Sequence, residues 1–465
     1  MSTLETIRRV EKELERQFEG KLVVNRDLNR TLVSFQANKR QNSYRWFKYK
    51  EGFSASLVRY VLERLHIDTG RFLDPFAGSG AALFGAAKQG LDAVGIELLP
   101  VGCQVIEARK LATSADAPVI AEVLGRWAEQ KLWRKEKKSL PFSHLRITQG
   151  AFPPETEAAL GKYRMAAEAE SLPARTMLLF AALCVLEEIS YTRKDGQYLR
   201  WDYRSGRKQG MKPFDKGSIP TFDAAVETKL RQIRDDLGGE PLDLFPESPS
   251  GNIDVLHGSC LDHLPQLESR SFDCLMTSPP YCNRYDYTRT YALELAFLGT
   301  SEEQLRRLRQ QMVSCTVENR EKVGLEATFD PSLLSRADKA FKAQELLAQI
   351  LPYLETRKEM KLLNNNGIPR MVRNYFREMA LVLFECARIL KPGAPLIMVN
   401  DNVRYEGAAV PVDLILSDIA RQAGFEVETI WVLPVGKGNS SQQMGKHGRD
   451  ELRKCVYIWR APRAL

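Results

Sequence analysis

Arg71-Phe72-Leu73-Asp74-Pro75-Phe76-Ala77-Gly78-Ser79-Gly80-Ala81-Ala82 reads as a short apolar strand, a glycine turn and the start of a helix of small residues. Glycines at 78 and 80 remove the side chains that would hold a ligand away from the backbone and the helix N-terminus. Ala93-Val94-Gly95-Ile96-Glu97 follows as a second strand. Its terminal acid lies about 20 residues beyond the first glycine, where a carboxylate can accept both hydroxyls of a ribose. Strand, helix and strand at this spacing form a right-handed parallel unit, the beginning of a doubly wound α/β sheet.

The same stretch restricts the ligand. A dinucleotide turn would continue Gly-x-Gly-x-x-Gly, but Leu83 occupies the last place and is too large for a pyrophosphate cradle. An acid at Asp74 disfavours a phosphate and suits a cation. S-adenosylmethionine carries an adenosine, a sulfonium and an amine but no phosphate, and it fits these requirements.

Outward from the turn, apolar runs at 253–258, 271–276, 394–399, 425–433 and 455–459 bring the candidate strands to seven. Two stretches break the alternation of strand and helix. Residues 103–250 are mostly helical in pattern, and 300–368 are charged and helical. Amphipathic helices are expected over 4–19 and 53–65, with a polar, aromatic stretch between them. The organisation predicted is an N-terminal helical extension (1–40), a core carrying the cofactor motifs (41–110), a helical insertion (111–250), a second core segment (251–300), a second helical insertion (301–368) and C-terminal core strands (369–465).

A hydrophobic content of 44% supports a substantial core, and a formal charge of +8 is compatible with a polyanionic partner. Eight cysteines without a CxxC pair and five histidines without an HExxH motif give no metal signature and point to a reduced, cytoplasmic protein. No run approaches the ~20 apolar residues of a membrane span.

The apolar run at 271–276 leads into Thr277-Ser278-Pro279-Pro280-Tyr281. Two prolines fix the backbone past the strand end and remove two N–H donors, leaving carbonyl oxygens, a hydroxyl and an aromatic ring. That set suits a planar base bearing an amino group, whose N–H bonds the oxygens accept and whose face the ring covers. In isolation the string also reads as a rigid turn.

Together the 74–80 turn, Glu97 and the 277–281 string resemble the amino-methyltransferases of DNA, which methylate exocyclic nitrogens. The resemblance implies a seven-stranded class I, Rossmann-like S-adenosylmethionine methyltransferase core with two largely helical insertions. It implies cofactor contacts from Phe53, Asp74, Pro75, Phe76, Gly78, Gly80, Glu97 and Ser259, and catalytic roles for Ser278, Pro279, Pro280 and Tyr281. Family members commonly carry an acid after the glycine that ends the third strand. Here Gly258 is followed by Ser259, so the adenine contact falls to Ser259 or to Asp262. Trp46 to Ser54 stand where the family places an aromatic and basic segment over the methionine end of the cofactor. Ser before the prolines is more typical of the cytosine-N4 branch, whereas adenine-N6 enzymes more often have Asp or Asn. Carbon-5 methylation requires a Cys directly after the Pro, and Cys282 lies one residue too far along.

DNA contacts are expected from Arg193, Lys194, Arg200 and Tyr203 in the basic, aromatic stretch 191–212, and from Arg284. Gln442 and His447 fall in a segment resembling the loop that these enzymes place beside the extruded base. Arg306, Arg307, Arg309, Arg320, Lys322 and Arg370 form a competing recognition set in and beside the second insertion. A restriction endonuclease or phage-defence partner is implied by the resemblance. The rival functions are an RNA base-amino methyltransferase and a catalytically silent homologue that binds nucleic acid.

Overall fold

The structure is a computed structural model that describes residues 3–196, 198–210, 212–238, 251–434 and 452–463. One sheet contains β1 (Leu22–Val24), β2 (Arg71–Asp74), β3 (Asp92–Glu97), β4 (Ile253–His257), β5 (Cys274–Thr277), β6 (Pro395–Asp401), β7 (Glu426–Val432) and β8 (Lys454–Arg460). Across the sheet the order is β1-β7-β8-β6-β5-β2-β3-β4. Only β8 runs antiparallel to its neighbours. The chain winds outward in one direction through β3 and β4, and in the other through β5 and β6. A crevice therefore opens beyond the C-terminal ends of β2 and β5, at the switch point.

The central strands are buried on both faces, as helix-covered parallel strands must be: Phe72, Leu73, Cys274, Leu275 and Met276 are all fully enclosed. Helix Ala55–Arg64 begins at Ser54, whose hydroxyl accepts the Leu57 N–H (3.1 Å), and it buries Leu57, Val58, Val61 and Leu62 on one face. That face packs on helix Ala81–Lys88. Leu83 fills the place of a third turn glycine, and the sheet accommodates it at Gly95, where a Cβ would lie 2.6 Å from Leu83 Cδ1.

All seven expected strands are present in the sheet, and an eighth, β1, joins them. β1 comes from the N-terminal extension and pairs with the outer edge of β7. Its apolar run, Leu22-Val23-Val24, is only three residues long with both valines exposed, too short to read as a strand, and it pairs along the edge that β7 offers. Helix Leu4–Gln17 precedes it and packs on helix Glu345–Glu359 of the second insertion.

The first insertion contains helices Ala117–Gln130, Pro154–Ala167, Leu172–Ile189 and Phe222–Gly238 and a hairpin of Thr192–Asp195 with Tyr198–Trp201. Its apolar core includes Trp127, Trp133, Tyr163 and Phe180, and it takes in Trp46, Phe47 and Tyr49 from the segment ahead of Ser54. Among the described residues, no helix is long and apolar enough to cross a membrane.

Gly95→Ala should destabilise the fold by about 1–3 kcal/mol through overpacking against Leu83. A fall in the urea midpoint with an unchanged slope would report it, and an unchanged midpoint would show that Leu83 can move aside.

Candidate active site

The crevice is an open cleft of about 770 Å³. Of the residues expected from sequence, Phe53, Asp74, Pro75, Phe76, Gly78, Glu97, Ser259, Ser278 and Pro280 line it. Gly80 is not among the lining residues. Gly80 is the N-cap of helix Ala81–Lys88 at φ +77°, and a Cβ there would meet Ile106 at 2.9 Å, so the glycine is required by packing behind the turn.

Glu97 is buried, and both its oxygens hold the turn. Oε2 accepts the Gly78 N–H (2.6 Å) and Oε1 the Leu99 N–H (2.7 Å). Lone pairs remain for ribose hydroxyls. Burial nevertheless pushes its carboxyl up to about 8, against the lowering effect of those two N–H groups. Gly102 lies directly behind it: a Cβ there would sit 2.5 Å from the Gly78 carbonyl and 2.7 Å from the Glu97 carboxyl carbon. Nothing in the sequence marks Gly102, because a lone helical glycine has no signature.

Asp74 is also buried. Its Oδ1 accepts the Thr277 hydroxyl (2.6 Å) and the Phe76 N–H (3.0 Å), and burial pushes its carboxyl up to about 7. Among the described residues, the cleft lining contains three carboxylates, Glu51, Asp74 and Glu97, and no Lys or Arg. A phosphate would be repelled from such a site. A cation with ribose hydroxyls matches it, so the residues fit S-adenosylmethionine. Among the described residues, no group of three His, Cys, Asp or Glu could hold a metal.

Ser278 and Pro280 are half-buried at the β5 end of the cleft, and Pro279 is buried. The Ser278 hydroxyl donates to Tyr281 Oη (3.3 Å). Pro279 and Tyr281 lie outside the cleft lining; burial raises the Tyr281 phenol, with Lys454 opposing the shift and Asp401 adding to it. Cys282 is fully enclosed, burial holds its thiol well above the ordinary value, and its carbonyl accepts the Tyr405 hydroxyl (2.6 Å).

Ser259 donates its hydroxyl to the Gln311 carbonyl (2.7 Å) and caps the Leu261 N–H (3.3 Å), while Asp262 is exposed and outside the lining. Gln311, Met312 and Val313 complete the wall. Gln311 ends helix Glu302–Gln311 of the second insertion and Met312 and Val313 follow it, and nothing in their local sequence marks them. Tyr49 and Glu51 were covered only as part of the 46–54 segment. Tyr49 stacks on Tyr291 (5.2 Å between rings, 9°) in front of Gly78, where a Cβ would lie 3.1 Å from its ring.

The hairpin of the first insertion alternates. Arg193 and Arg200 are cross-strand partners on its exposed face, each over the Phe214 ring at 6.0 and 4.3 Å, and Tyr203 is exposed nearby. Lys194 points inward, which corrects its assignment to DNA. It is buried, ion-paired to the buried Glu294 and set 4.4 Å over the Tyr291 ring, so it has no path to a phosphate. Arg284 is half-buried and donates to Asn364 (2.8 Å). In the competing set, Arg309 is paired with Asp286 (3.1 Å) and Lys322 with Glu378 (2.6 Å). Gln442 and His447 lie outside the described residues.

No family model matches the chain. Type II methyltransferase M.AvaI of Nostoc sp. (strain PCC 7120 / SAG 25.82 / UTEX 2576) is 51% identical over 468 residues, spanning 99% of this chain and 95% of that protein, and the figures for M.AvaI of Anabaena variabilis are the same. Type II methyltransferase M.BsoBI of Geobacillus stearothermophilus is 40% identical over 462 residues, 93% of this chain and 88% of that one.

The two buried acids have a measurable consequence. Each holds its proton in the folded chain but loses it near pH ~4 when unfolded, so rising pH favours the unfolded state. In the absence of cofactor, stability should fall between about pH 4 and about pH 8, the window set by carboxyls at about 7 for Asp74 and about 8 for Glu97. Asp74→Asn should flatten the part of that slope below about pH 7. Urea midpoints across this range test it, and an identical slope in the variant would refute it.

Proposed function

We propose that this chain, which belongs to the type II DNA methyltransferases and takes its methyl group from S-adenosylmethionine, methylates the exocyclic N4 of a cytosine extruded from duplex DNA. The observation that carries the reading is the shared cleft: Ser278 and Pro280 line the same opening as Asp74 and Glu97. A base amine held at Ser278 would therefore lie beside a cofactor held by Asp74 and Glu97.

Glu97 would hold the ribose hydroxyls and Asp74 the cationic end of the cofactor. When bound, the cofactor supplies a methyl group on a sulfonium. A cytosine amine is a weak nucleophile because its lone pair is delocalised into the ring. With its own proton directed to Tyr281, Ser278 Oγ keeps lone pairs for one amine hydrogen. The Pro279 carbonyl accepts the other. Together they favour a pyramidal nitrogen aligned for direct transfer. Tyr281 stacks on the base and offsets part of the few kcal/mol spent on extrusion. The displaced proton leaves to water. Enclosure of Cys282 supports transfer without a covalent intermediate on sulfur. Arg193, Arg200 and Tyr203 are proposed to contact the DNA backbone, and a restriction endonuclease reading the same sequence is the proposed functional partner.

Incubation with labelled cofactor and duplex DNA, followed by mass spectrometry of the nucleosides, should yield N4-methylcytosine; N6-methyladenine as sole product would refute the reading. Ser278→Ala should lower turnover by roughly 10²–10³-fold with cofactor affinity retained, whereas Cys282→Ala should keep turnover. For the hairpin, the double variant Arg193→Ala/Arg200→Ala should weaken DNA binding and reduce the salt slope by about 2. An unchanged slope would place the phosphate contacts elsewhere.

A further inference from the structure

Two loops meet at Glu51. One is the segment carrying Tyr49 over the glycine turn, and the other is the chain leaving the Pro-Pro motif. The Glu51 carboxylate lines the cleft, and its oxygens accept from two phenols, Oε1 from Tyr285 and Oε2 from Tyr291. Tyr285 follows Tyr281 by four residues and packs edge-on against Tyr287 (4.9 Å, 67°), which also lines the cleft.

Tyr291 is held by two ring contacts besides its hydrogen bond. One face stacks on Tyr49, and the ring also carries the Lys194 ammonium, itself held by Glu294. A continuous set of contacts thus runs from Gly78 through Tyr49, Tyr291 and Glu51 to Tyr285, and so to the motif that holds the base. Burial first, and then the Glu51 charge, raise both phenols well above their ordinary range, so each stays a donor. A carboxylate suits this junction because both its oxygens accept, whereas an amide offers one acceptor and one donor.

We propose that Glu51 is a positioning residue for methyl transfer, acting through Tyr285 and Tyr291 to set the distance between the cofactor-covering segment and the base-holding segment. The inference rests on methyl transfer in this cleft and is independent of which base is the acceptor. A misplacement near 1 Å in such a junction costs on the order of 100-fold in rate.

The test uses the full chain with saturating cofactor and DNA, reading single-turnover transfer, cofactor dissociation constant and melting temperature. Glu51→Ala and the double variant Tyr285→Phe/Tyr291→Phe should each slow transfer roughly 10- to 100-fold. The triple variant should be no slower than Glu51→Ala alone, since all remove one junction. Glu51→Gln should recover part of the rate. The double variant keeps both rings and the carboxylate, so it should retain cofactor affinity and melting temperature, and it carries the test if Glu51→Ala does not fold. Wild-type transfer by the double variant, losses that multiply in the triple variant, or a loss confined to cofactor affinity or melting temperature would each overturn the proposal. The methylated base is scored separately, so N6-methyladenine would refute the cytosine reading while leaving this test intact.

Discussion

The hydrogen bond from Thr277 to Asp74 (2.6 Å) joins the last residue of β5 to the last residue of β2, and the rest of the site is arranged around it. The two strands are parallel neighbours at the switch point of the sheet, so their ends face one crevice. On one side the chain turns through Gly78 and Gly80; on the other it runs into the two prolines. A buried acid held by few donors is costly while the cleft is empty, and burial raises Asp74 accordingly. A cationic ligand reverses that cost, because it supplies the charge that the surrounding protein withholds. Glu97 follows the same logic one strand over, with the turn N–H groups as its partners.

Around this centre the insertions complete the cleft. Trp46, Phe47 and Tyr49 belong to the core of the first insertion, so the segment covering the glycine turn is anchored by that helical body. Asp236, near the end of its last helix, accepts from the Trp46 indole (2.7 Å) and pairs with Arg45. The second insertion supplies the opposite wall at Gln311, Met312 and Val313, tied by the Ser259 hydroxyl to the end of β4 and by Ser314 to the buried Glu378 (2.6 Å). Neither insertion is a separate appendage. The first anchors the segment over the glycine turn, and the second closes a side of the site that the strands leave open.

The glycine turn, Glu97 and the Pro-Pro string were legible because each is local: a few adjacent residues fix both the backbone course and the chemistry. Lys194 was misread for the opposite reason. Composition marks residues 191–212 as basic, but a hairpin sends successive side chains to opposite faces, and the partner that draws Lys194 inward, Glu294, is 100 residues away. Gly78 and Gly80 are alike on paper, yet only Gly80 is packed against a later helix. Its neighbour Ile106 lies on a later helix, and only packing brings the two together.

By itself the sequence determined the doubly wound sheet, the glycine turn with an acid at the end of the next strand, and the Pro-Pro string past a buried strand, since periodicity and short-range spacing suffice for these. Tertiary structure alone decided that β1 completes the sheet, which cations of the hairpin face outward, and that Gln311, Met312 and Val313 wall the cleft. It also decided that Glu51 ties the two loops together. The physical reason is the same in each case: a buried polar group or an open strand edge must find its partner in space, and chain distance gives no hint of where that partner is.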